Sequence, residues 1–296
     1  MSRYYFSIVN VLSPPISAAF SYAKSSYNQG EADPTPTITG TTGGTFTGTS
    51  GIVFVDSGGS ADSSTGQIDL SASSIATHTV TYTISGVSSN FELGITAIPY
   101  QSTRSFSFDG VNDYFQTGSI TLGSVFTFSC WLNVNSFSLA NQCFLSSPNY
   151  FQSGFDGNFV IRLNNNTTIN FFSYDGTGSS ESITCTVPTI STGSWHHFSL
   201  INNGTTAQYY WDGSPITTTG VNTKGLDNLI NGLIIGDNIT NNNNAFNGNI
   251  DEVSLWDSAL SSDAITEIYN SGAPNDLESL TNASSSNLVA WYKMGE

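Results

Sequence analysis

The stretch Asn247-Gly-Asn-Ile-Asp-Glu-Val-Ser-Leu-Trp-Asp-Ser-Ala-Leu260 decides the fold, together with Ser105-Phe-Ser-Phe-Asp-Gly-Val-Asn-Asp-Tyr114 about 140 residues earlier. Both stretches have the apolar–polar pattern of strands that end in polar turns. In an unbroken strand, residues 251, 253 and 255 share one face, so we expect Asp251 at the edge of the buried face. An ionised carboxylate in that position needs a partner.

Composition narrows the classes of function. The chain has 296 residues, a length that suggests two domains, and 38% of them are hydrophobic, which is ample material for packed cores. Only six residues are Lys or Arg, and the net charge is −16. Nucleic acid and anionic membranes are therefore poor partners, because both require clustered cations. The chain has no run of 18 apolar residues, so we predict no membrane insertion.

Residues 1–100 are predicted to form one small β-sandwich. In Thr77-His-Thr-Val-Thr-Tyr-Thr-Ile84, Val80, Tyr82, Ile84 and His78 face one side, and threonines face the other. The run Ser64-Thr-Gly-Gln-Ile-Asp-Leu-Ser-Ala-Ser73, followed by Thr79-Val-Thr-Tyr-Thr83, resembles immunoglobulin-like repeats of bacterial surface proteins and marine phage structural proteins. The resemblance implies a spacer or docking unit. The apolar stretch Tyr4–Val11 is predicted to be a buried strand. Its first part, Tyr4–Val9, would be a costly exposed edge if unpaired, so we expect this unit to dock on other subunits.

Residues 101–296 are predicted to form a second β-rich unit with one short helix. The helix is expected at 262–270, with Ser261 or Ser262 as its cap, three apolar residues facing inward and Gly272 after its end. Strands are expected at Phe126–Val134, Asn158–Leu163, Thr168–Tyr174, Trp195–Ile201, Thr206–Trp211, Leu229–Ile235 and Ile250–Trp256.

Six motifs carry a resemblance that spans nearly all of this second unit. They are Phe108-Asp-Gly-Val-Asn-Asp-Tyr114, Phe126-Thr-Phe-Ser-Cys-Trp-Leu132, Gly193-Ser-Trp-His-His-Phe198, Tyr209-Tyr-Trp-Asp-Gly213, Leu233-Ile-Ile-Gly236 and Phe246 to Trp256. Their order and spacing resemble laminin-G-like domains. The resemblance implies an all-β chain: an N-terminal immunoglobulin-like β-sandwich followed by a concanavalin-A-like jelly roll. The family comprises carbohydrate-binding, adhesion and virion modules.

The same resemblance implies a structural Ca²⁺ ion held by Asp109 and Asp251, with Asn112 and Asp113 as additional oxygen donors. Such hard oxygen ligands suit calcium. The alternative is an Asp–Gly turn at Asp109 and hydrogen bonds from backbone amides to Asp251. No other cofactor is predicted.

Catalytic residues are not predicted. Glycoside hydrolysis needs two acids at a fixed separation across a cleft, and hydrolases of this fold commonly carry Glu-x-Asp-x-x-Glu on one strand. The nearest string, Ile250-Asp-Glu-Val253, lacks the later acid. His196 and His197 are adjacent, so they face opposite sides of a strand and cannot form one metal grip. We expect His197 to share a face with Trp195 and to have a packing role.

Aromatic residues near loops are candidates for stacking on sugar rings. Tyr209, Tyr210 and Trp211 are the glycan-binding candidates, and Tyr150 and Phe155 lie near loops as well. The alternative is that these rings belong to the core. Cys130, in an apolar strand, is expected to be buried, and the spacing of the three cysteines predicts no disulfide framework.

Two functions of different class fit the sequence. The first is a non-enzymatic virion protein on the particle exterior, docked as a homo-oligomer through its first unit and displaying the jelly roll to cell-surface glycans. It rests on the start at Met1, the low charge, the pairing of domains and the ending Asn287–Glu296, which is similar to segments of cyanophage structural proteins. The second is an extracellular lectin or adhesin module. The segment Leu288–Met294 is expected either to complete the sheet within the chain or to pair with a neighbouring subunit.

Overall fold

The computed structural model describes residues 14–120, 122–148, 156–175, 180–220, 232–238 and 244–294, and gives only the backbone for 156–158, 174–175 and 180. The chain divides into two compact units, Met1–Pro99 and Tyr100–Glu296. Almost all regular structure is β, which confirms the predicted all-β class. The predicted strand at Tyr4–Val11 lies outside the described residues, as do Tyr150 and Phe155.

The described residues of the first unit form short strands around one long hairpin. Its strands are β1 (Phe20–Ser21), β2 (Ser26–Asn28), β3 (Thr37–Ile38), β4 (Thr45–Gly48), β5 (Phe54–Val55), β6 (Gln67–Ile68), β7 (Ala76–Ile84) and β8 (Val87–Thr96). Four of them form a sheet in the order β2-β8-β7-β4, while β1 pairs with β3 and β5 pairs with β6. The immunoglobulin-like assignment of this unit stays a prediction.

The β7–β8 hairpin sets the core of the first unit. Its two-residue turn, Ser85-Gly86, has positive φ at both positions, the backbone that matches the twist of a tight hairpin. Val80, Tyr82 and Ile84 are buried, which confirms the predicted alternation on β7. The Tyr82 ring packs 4.7 Å from that of Phe46, between ring centroids.

The second unit contains two sheets, one helix and one 3₁₀ turn among its described residues. Its elements are β9 (Phe106–Asp109), β10 (Phe115–Gln116), β11 (Val125–Val134), β12 (Gln142–Ser146), β13 (Asp156–Asn165), β14 (Thr168–Asp175), β15 (Ser180–Thr186), β16 (Trp195–Asn203), β17 (Ala207–Trp211), β18 (Ser214–Pro215), β19 (Thr218–Gly220), β20 (Ile234–Ile235), β21 (Asn247–Trp256), α1 (Ser262–Tyr269), the 3₁₀ turn (Ser285–Asn287) and β22 (Leu288–Tyr292). Of the predicted strand Leu229–Ile235, the structure shows Ile234–Ile235, and residues 229–231 lie outside the described part.

The two sheets of the second unit share one buried core. The helix-side sheet has the order β18-β17-β16-β11-β21-β22, with β9 also paired to β21. The opposite sheet has the order β10-β20-β12-β13-β14-β15-β19. Inward side chains of both sheets form one buried cluster, which includes Phe128 and Leu132 from β11 and Phe159 and Phe171 from the opposite sheet. Full burial of each such side chain stabilises the fold by about 1.5–3 kcal/mol.

Helix α1 lies on the outer face of the helix-side sheet. Ser261 accepts a hydrogen bond from the backbone N–H of Ala264 and caps the first turn, as predicted. Asn270, in the left-handed conformation, ends the helix, and Ala264, Ile265 and Ile268 are buried. These three residues pack with Trp256 and Tyr210 in a second cluster outside the sandwich.

The C-terminal strand β22 completes the helix-side sheet within the chain. It pairs antiparallel with β21, with Val253 opposite Tyr292 and Leu255 opposite Ala290. Of the two arrangements that the sequence left open for this segment, the structure shows the first. No helix among the described residues is long and apolar enough to cross a membrane.

Candidate functional site

The outer face of the helix-side sheet presents a cross-strand row of polar and aromatic residues. Trp131 at the centre of the sheet lies opposite His197 of β16 on one side and Asp251 of β21 on the other. The ring of Tyr269, at the end of helix α1, stacks on Trp131 with ring centroids 5.8 Å apart. The helix thus covers one end of the row and leaves the end nearest Asp251 to other segments.

A bulge in β21 turns Asp251 to this outer face. The register between β11 and β21 shifts between Ser129 and Trp131, and Glu252 has a φ of 51°, in the left-handed region. Ile250 and Val253 both point into the sandwich core as a result. The sequence-based placement of Asp251 on the same face as Val253 is therefore wrong, because the extra residue reverses the alternation.

Both acids at the bulge are buried and hydrogen-bonded. The Ser102 hydroxyl donates to Oδ2 of Asp251 at 2.5 Å, and the backbone N–H of Glu252 donates to Oδ1 at 2.8 Å. Tyr100 donates its hydroxyl proton to Oε1 of Glu252 at 2.7 Å, and the Trp291 indole N–H donates to Oε2. Buried carboxylates are stabilised by such contacts, so both side chains are held in fixed orientations.

A cavity of about 360 Å³ opens beside Asp251. Its walls come from the segment that enters the unit, from the outward residues of three strands and from the chain after helix α1: Ser102, Thr103, Arg104, Ser105, Trp131, Trp195, Asp251, Gly272 and Pro274. Trp131 is buried, whereas Trp195 is 41% exposed and Arg104 is exposed. The cavity is therefore lined by an exposed tryptophan, an exposed arginine, residues that carry hydroxyl groups and one acidic residue.

Comparison with known families matches residues 109–266, more than half of the chain, to a laminin-G model of the concanavalin A-like lectin/glucanases superfamily. The chain belongs to this superfamily. The matched region covers strands β10 to β21, which belong to both sheets of the second unit, and the first five residues of helix α1. No curated protein sequence gives a significant match.

Solved structures of this fold include similar proteins at low identity. A Bacteroides ovatus protein for which carbohydrate binding has been proposed is 15% identical, covers 93% of this chain and 89% of its own, and has a TM-score of 0.56. A pentraxin from Limulus polyphemus is 18% identical over 63% of this chain and 90% of its own, with a TM-score of 0.43. A carbohydrate-binding module of a Ruminococcus gnavus sialidase, bound to α2,3-sialyllactose, is 13% identical over 56% and 96%, with a TM-score of 0.44.

The second unit does not bring Asp109 and Asp251 together. Asp109 lies opposite Asn247, four residues before Asp251 on β21, a separation on the order of 13 Å along the strand. Oδ1 of Asp109 accepts the Val111 backbone N–H at 2.7 Å, within its own turn. Asp113 joins that turn by accepting the Asp109 backbone N–H at 3.0 Å. One ion shared by Asp109 and Asp251 does not fit this geometry, and calcium at the turn alone stays a prediction.

The three aromatic residues predicted as glycan-binding candidates are buried within the second unit. Tyr209 and Trp211 belong to the buried cluster between the sheets, and Tyr210 packs under helix α1. All three are buried, so a glycan cannot reach them in the folded state. The prediction is corrected in favour of its alternative, a role in the core.

His196 and His197 are fixed by Asp212, at the turn between β17 and β18. One oxygen of Asp212 accepts the His197 backbone N–H at 2.9 Å, and the other lies 2.8 Å from Nδ1 of His196. His197 itself is fully buried, with Nε2 2.6 Å from the Ser129 hydroxyl. Burial lowers the pKa of His197 to about 3, so its ring is neutral near pH 7. The packing role predicted for His197 agrees with this environment.

Apart from Asp251, sequence reasoning did not assign a binding role to the residues that line the cavity. Trp195 belongs to a recognised motif, but the motif does not indicate that its ring is exposed. Arg104 carried a weak signal, since only six residues of the chain are Lys or Arg. Ser102 carried none, because its contact with Asp251 joins residues 149 positions apart.

Proposed function

We propose that the second unit binds glycans without cleaving them, in the cavity beside Asp251. The observation that carries this proposal is the exposed ring of Trp195 in the same cavity as the fixed carboxylate of Asp251. A sugar ring has apolar faces that can stack on indole and hydroxyl groups that can donate to a carboxylate. Cavities of roughly 300–1,000 Å³ with a few fixed polar groups are typical of small-ligand sites, and this one falls in that range.

Binding is favoured over hydrolysis by the arrangement of the acids. Asp251 is the one carboxylate among the described residues that line the cavity. Its neighbour Glu252 is buried and accepts hydrogen bonds from Tyr100 and Trp291. Hydrolysis of a glycosidic bond requires two carboxyl groups that face each other across the substrate. Membership of a superfamily of lectins and glucanases, and the similar B. ovatus fold, support a carbohydrate ligand.

Glycan arrays probed with the full-length protein test this proposal. We expect a defined set of glycans to bind, and Trp195→Ala and Asp251→Asn each to weaken binding at least tenfold, about 1.4 kcal/mol. Tyr114→Ala is the matched control, because Tyr114 is 51% exposed and lies outside the cavity. Unchanged binding in both cavity variants, with unchanged melting temperatures, would show that glycans bind elsewhere on the protein.

Display on a virus particle is the setting that we propose for this binding, with the first unit as the docking part. The support is the sequence resemblance to phage structural proteins and the division into two compact units. Mass spectrometry of purified particles, followed by immunogold labelling with antibodies against the second unit, tests it. Detection of the protein only in host-cell fractions would favour the alternative, an extracellular lectin or adhesin.

A further inference from the structure

We infer that the cavity selects a sugar that bears a carboxylate, and that Arg104 is the residue that recognises it. This inference rests on the proposed glycan binding and adds its specificity. It starts from the scarcity of cations: the chain has 22 Asp and Glu residues against six Lys and Arg. A cation placed in a cavity of so acidic a protein calls for an explanation in terms of what it contacts.

The described cations other than Arg104 have partners within the protein. Lys24 forms an ion pair with Glu31. Lys293 lies over the rings of Trp291 and Tyr100, the nearer at 4.0 Å. Arg162 lies 4.4 Å from the centroid of the Phe172 ring. Arg104 forms no ion pair with any carboxylate in the described part of the chain, although acidic residues outnumber basic ones more than threefold. Arg104 is exposed and lines the cavity.

The chemistry of arginine identifies the missing partner as a carboxylate. A guanidinium group presents N–H donors in a planar fork that matches the two oxygens of a carboxylate. Arg104 is two residues from Ser102, a Cα separation of at most about 7 Å, and Ser102 binds Asp251. Arg104 and Asp251 both line the cavity, so we expect one sugar residue to contact both side chains.

Asp251 does not oppose an acidic ligand as strongly as its charge suggests. One of its oxygens accepts the Ser102 hydroxyl and the other accepts the Glu252 backbone N–H. These donors offset part of its negative charge. Polyanionic chains are excluded for a different reason. The net charge of −16 repels them, and one arginine cannot compensate for that repulsion. The expected ligand is therefore a glycan with a single carboxylated sugar among neutral ones.

The experiment compares acidic and neutral forms of one glycan. An array with uronic-acid, nonulosonic-acid and neutral glycans identifies the best acidic binder for the full-length protein. Isothermal titration calorimetry then compares that glycan with its carboxyl-reduced form, in which the carboxylate is replaced by a primary alcohol. We expect at least a tenfold loss of affinity on reduction. In Arg104→Gln we expect the two forms to bind equally, and in Arg104→Lys we expect an intermediate preference.

Arg162→Gln is the matched control, because it removes the same charge from the opposite sheet and should keep the full preference. A preference that survives in Arg104→Gln, equal affinities of the two forms in the unaltered protein, or binding of neutral glycans alone would each overturn the inference. Those outcomes leave the proposed function standing. Absence of binding to any glycan would instead overturn the proposed function itself.

Discussion

Trp291 donates its indole N–H to the carboxylate of Glu252, and this hydrogen bond joins the C-terminal strand to the bulge of the neighbouring strand. Glu252 is buried in the left-handed conformation, which residues with a Cβ rarely adopt. Its other oxygen accepts the Tyr100 hydroxyl at 2.7 Å. The bulge therefore connects three segments: β21, the C-terminal strand β22 and the start of the second unit.

Removal of either partner of this contact should destabilise the second unit. We expect Glu252→Gln and Trp291→Phe each to lower the free energy of unfolding by about 1–3 kcal/mol, because each leaves a buried polar group with fewer partners. The double variant should cost less than the sum of the two, since the residues contact each other. Urea unfolding monitored by fluorescence measures all three.

Val289→Ala serves as a control on the same strand, because Val289 is 41% exposed and faces away from the core. Its effect should stay within about 0.5 kcal/mol. Strict additivity of Glu252→Gln and Trp291→Phe would contradict the view that their hydrogen bond stabilises the sheet.

Acidification should destabilise the second unit through His197. Its folded pKa of about 3 lies below the ordinary value of 6.5, so between these values the unfolded chain binds a proton that the folded chain does not. Stability from this group is complete above pH 6.5 and falls, by up to about 1.4 kcal/mol per pH unit, as the pH decreases toward 3. Unfolding measured from pH 7 to pH 5 tests the slope.

The variant His197→Gln isolates this effect, because glutamine keeps a polar contact for Ser129 but does not titrate. We expect it to be less stable than the unaltered protein at pH 7 and to lose the pH-dependent component above pH 5. An identical slope in both proteins would assign the acid sensitivity to other groups.

Period-2 patterns predicted the strands well because a strand that is buried on one face has apolar residues at every second position. Val80, Tyr82 and Ile84 show this alternation, and the capped helix at Ser262–Tyr269 follows from equally local signals. No residue type marks the bulge at position 252, because the left-handed conformation is usually adopted by Gly, Asn or Asp and this position carries Glu. The face of β21 on which Asp251 lies therefore could not be predicted from the sequence.

The cavity could not be predicted for a different physical reason. Its walls come from segments as distant as Ser102 and Pro274, and no local pattern records such an encounter. Alternation also assigns a residue to a face without showing what covers that face. Helix α1 buries Tyr210 on the outer face, while Trp195 on the same sheet stays exposed.

The three cysteines should be unreactive in the folded protein. Cys130, Cys143 and Cys185 are free thiols and are buried, and burial raises the pKa of each, that of Cys185 to about 12. The reactive thiolate is therefore scarce near pH 8. We expect a thiol reagent such as Ellman's reagent to modify none of them in native protein and all three in 6 M guanidinium. Rapid labelling of any one cysteine in native protein would show that the residues packed around it open and admit the reagent.

Calcium, if it binds the second unit, should bind at the turn that follows β9. Asp109, Asn112 and Asp113 supply oxygen atoms within five consecutive residues, and Asp109 and Asp113 are exposed. Asp251, about 13 Å away along the strand, already accepts two hydrogen bonds from protein. A site with so few fixed ligands should be weak, with a Kd of about 1 mM. We expect calcium at several millimolar to raise the melting temperature, and EDTA to reverse the rise. Asp109→Asn should abolish this effect and Asp251→Asn should preserve it.

If EDTA and calcium leave the melting temperature unchanged, the calcium prediction is wrong. If Asp251→Asn alone removes the effect, the ion lies instead in the cavity beside Trp195, where it would compete with the proposed glycan.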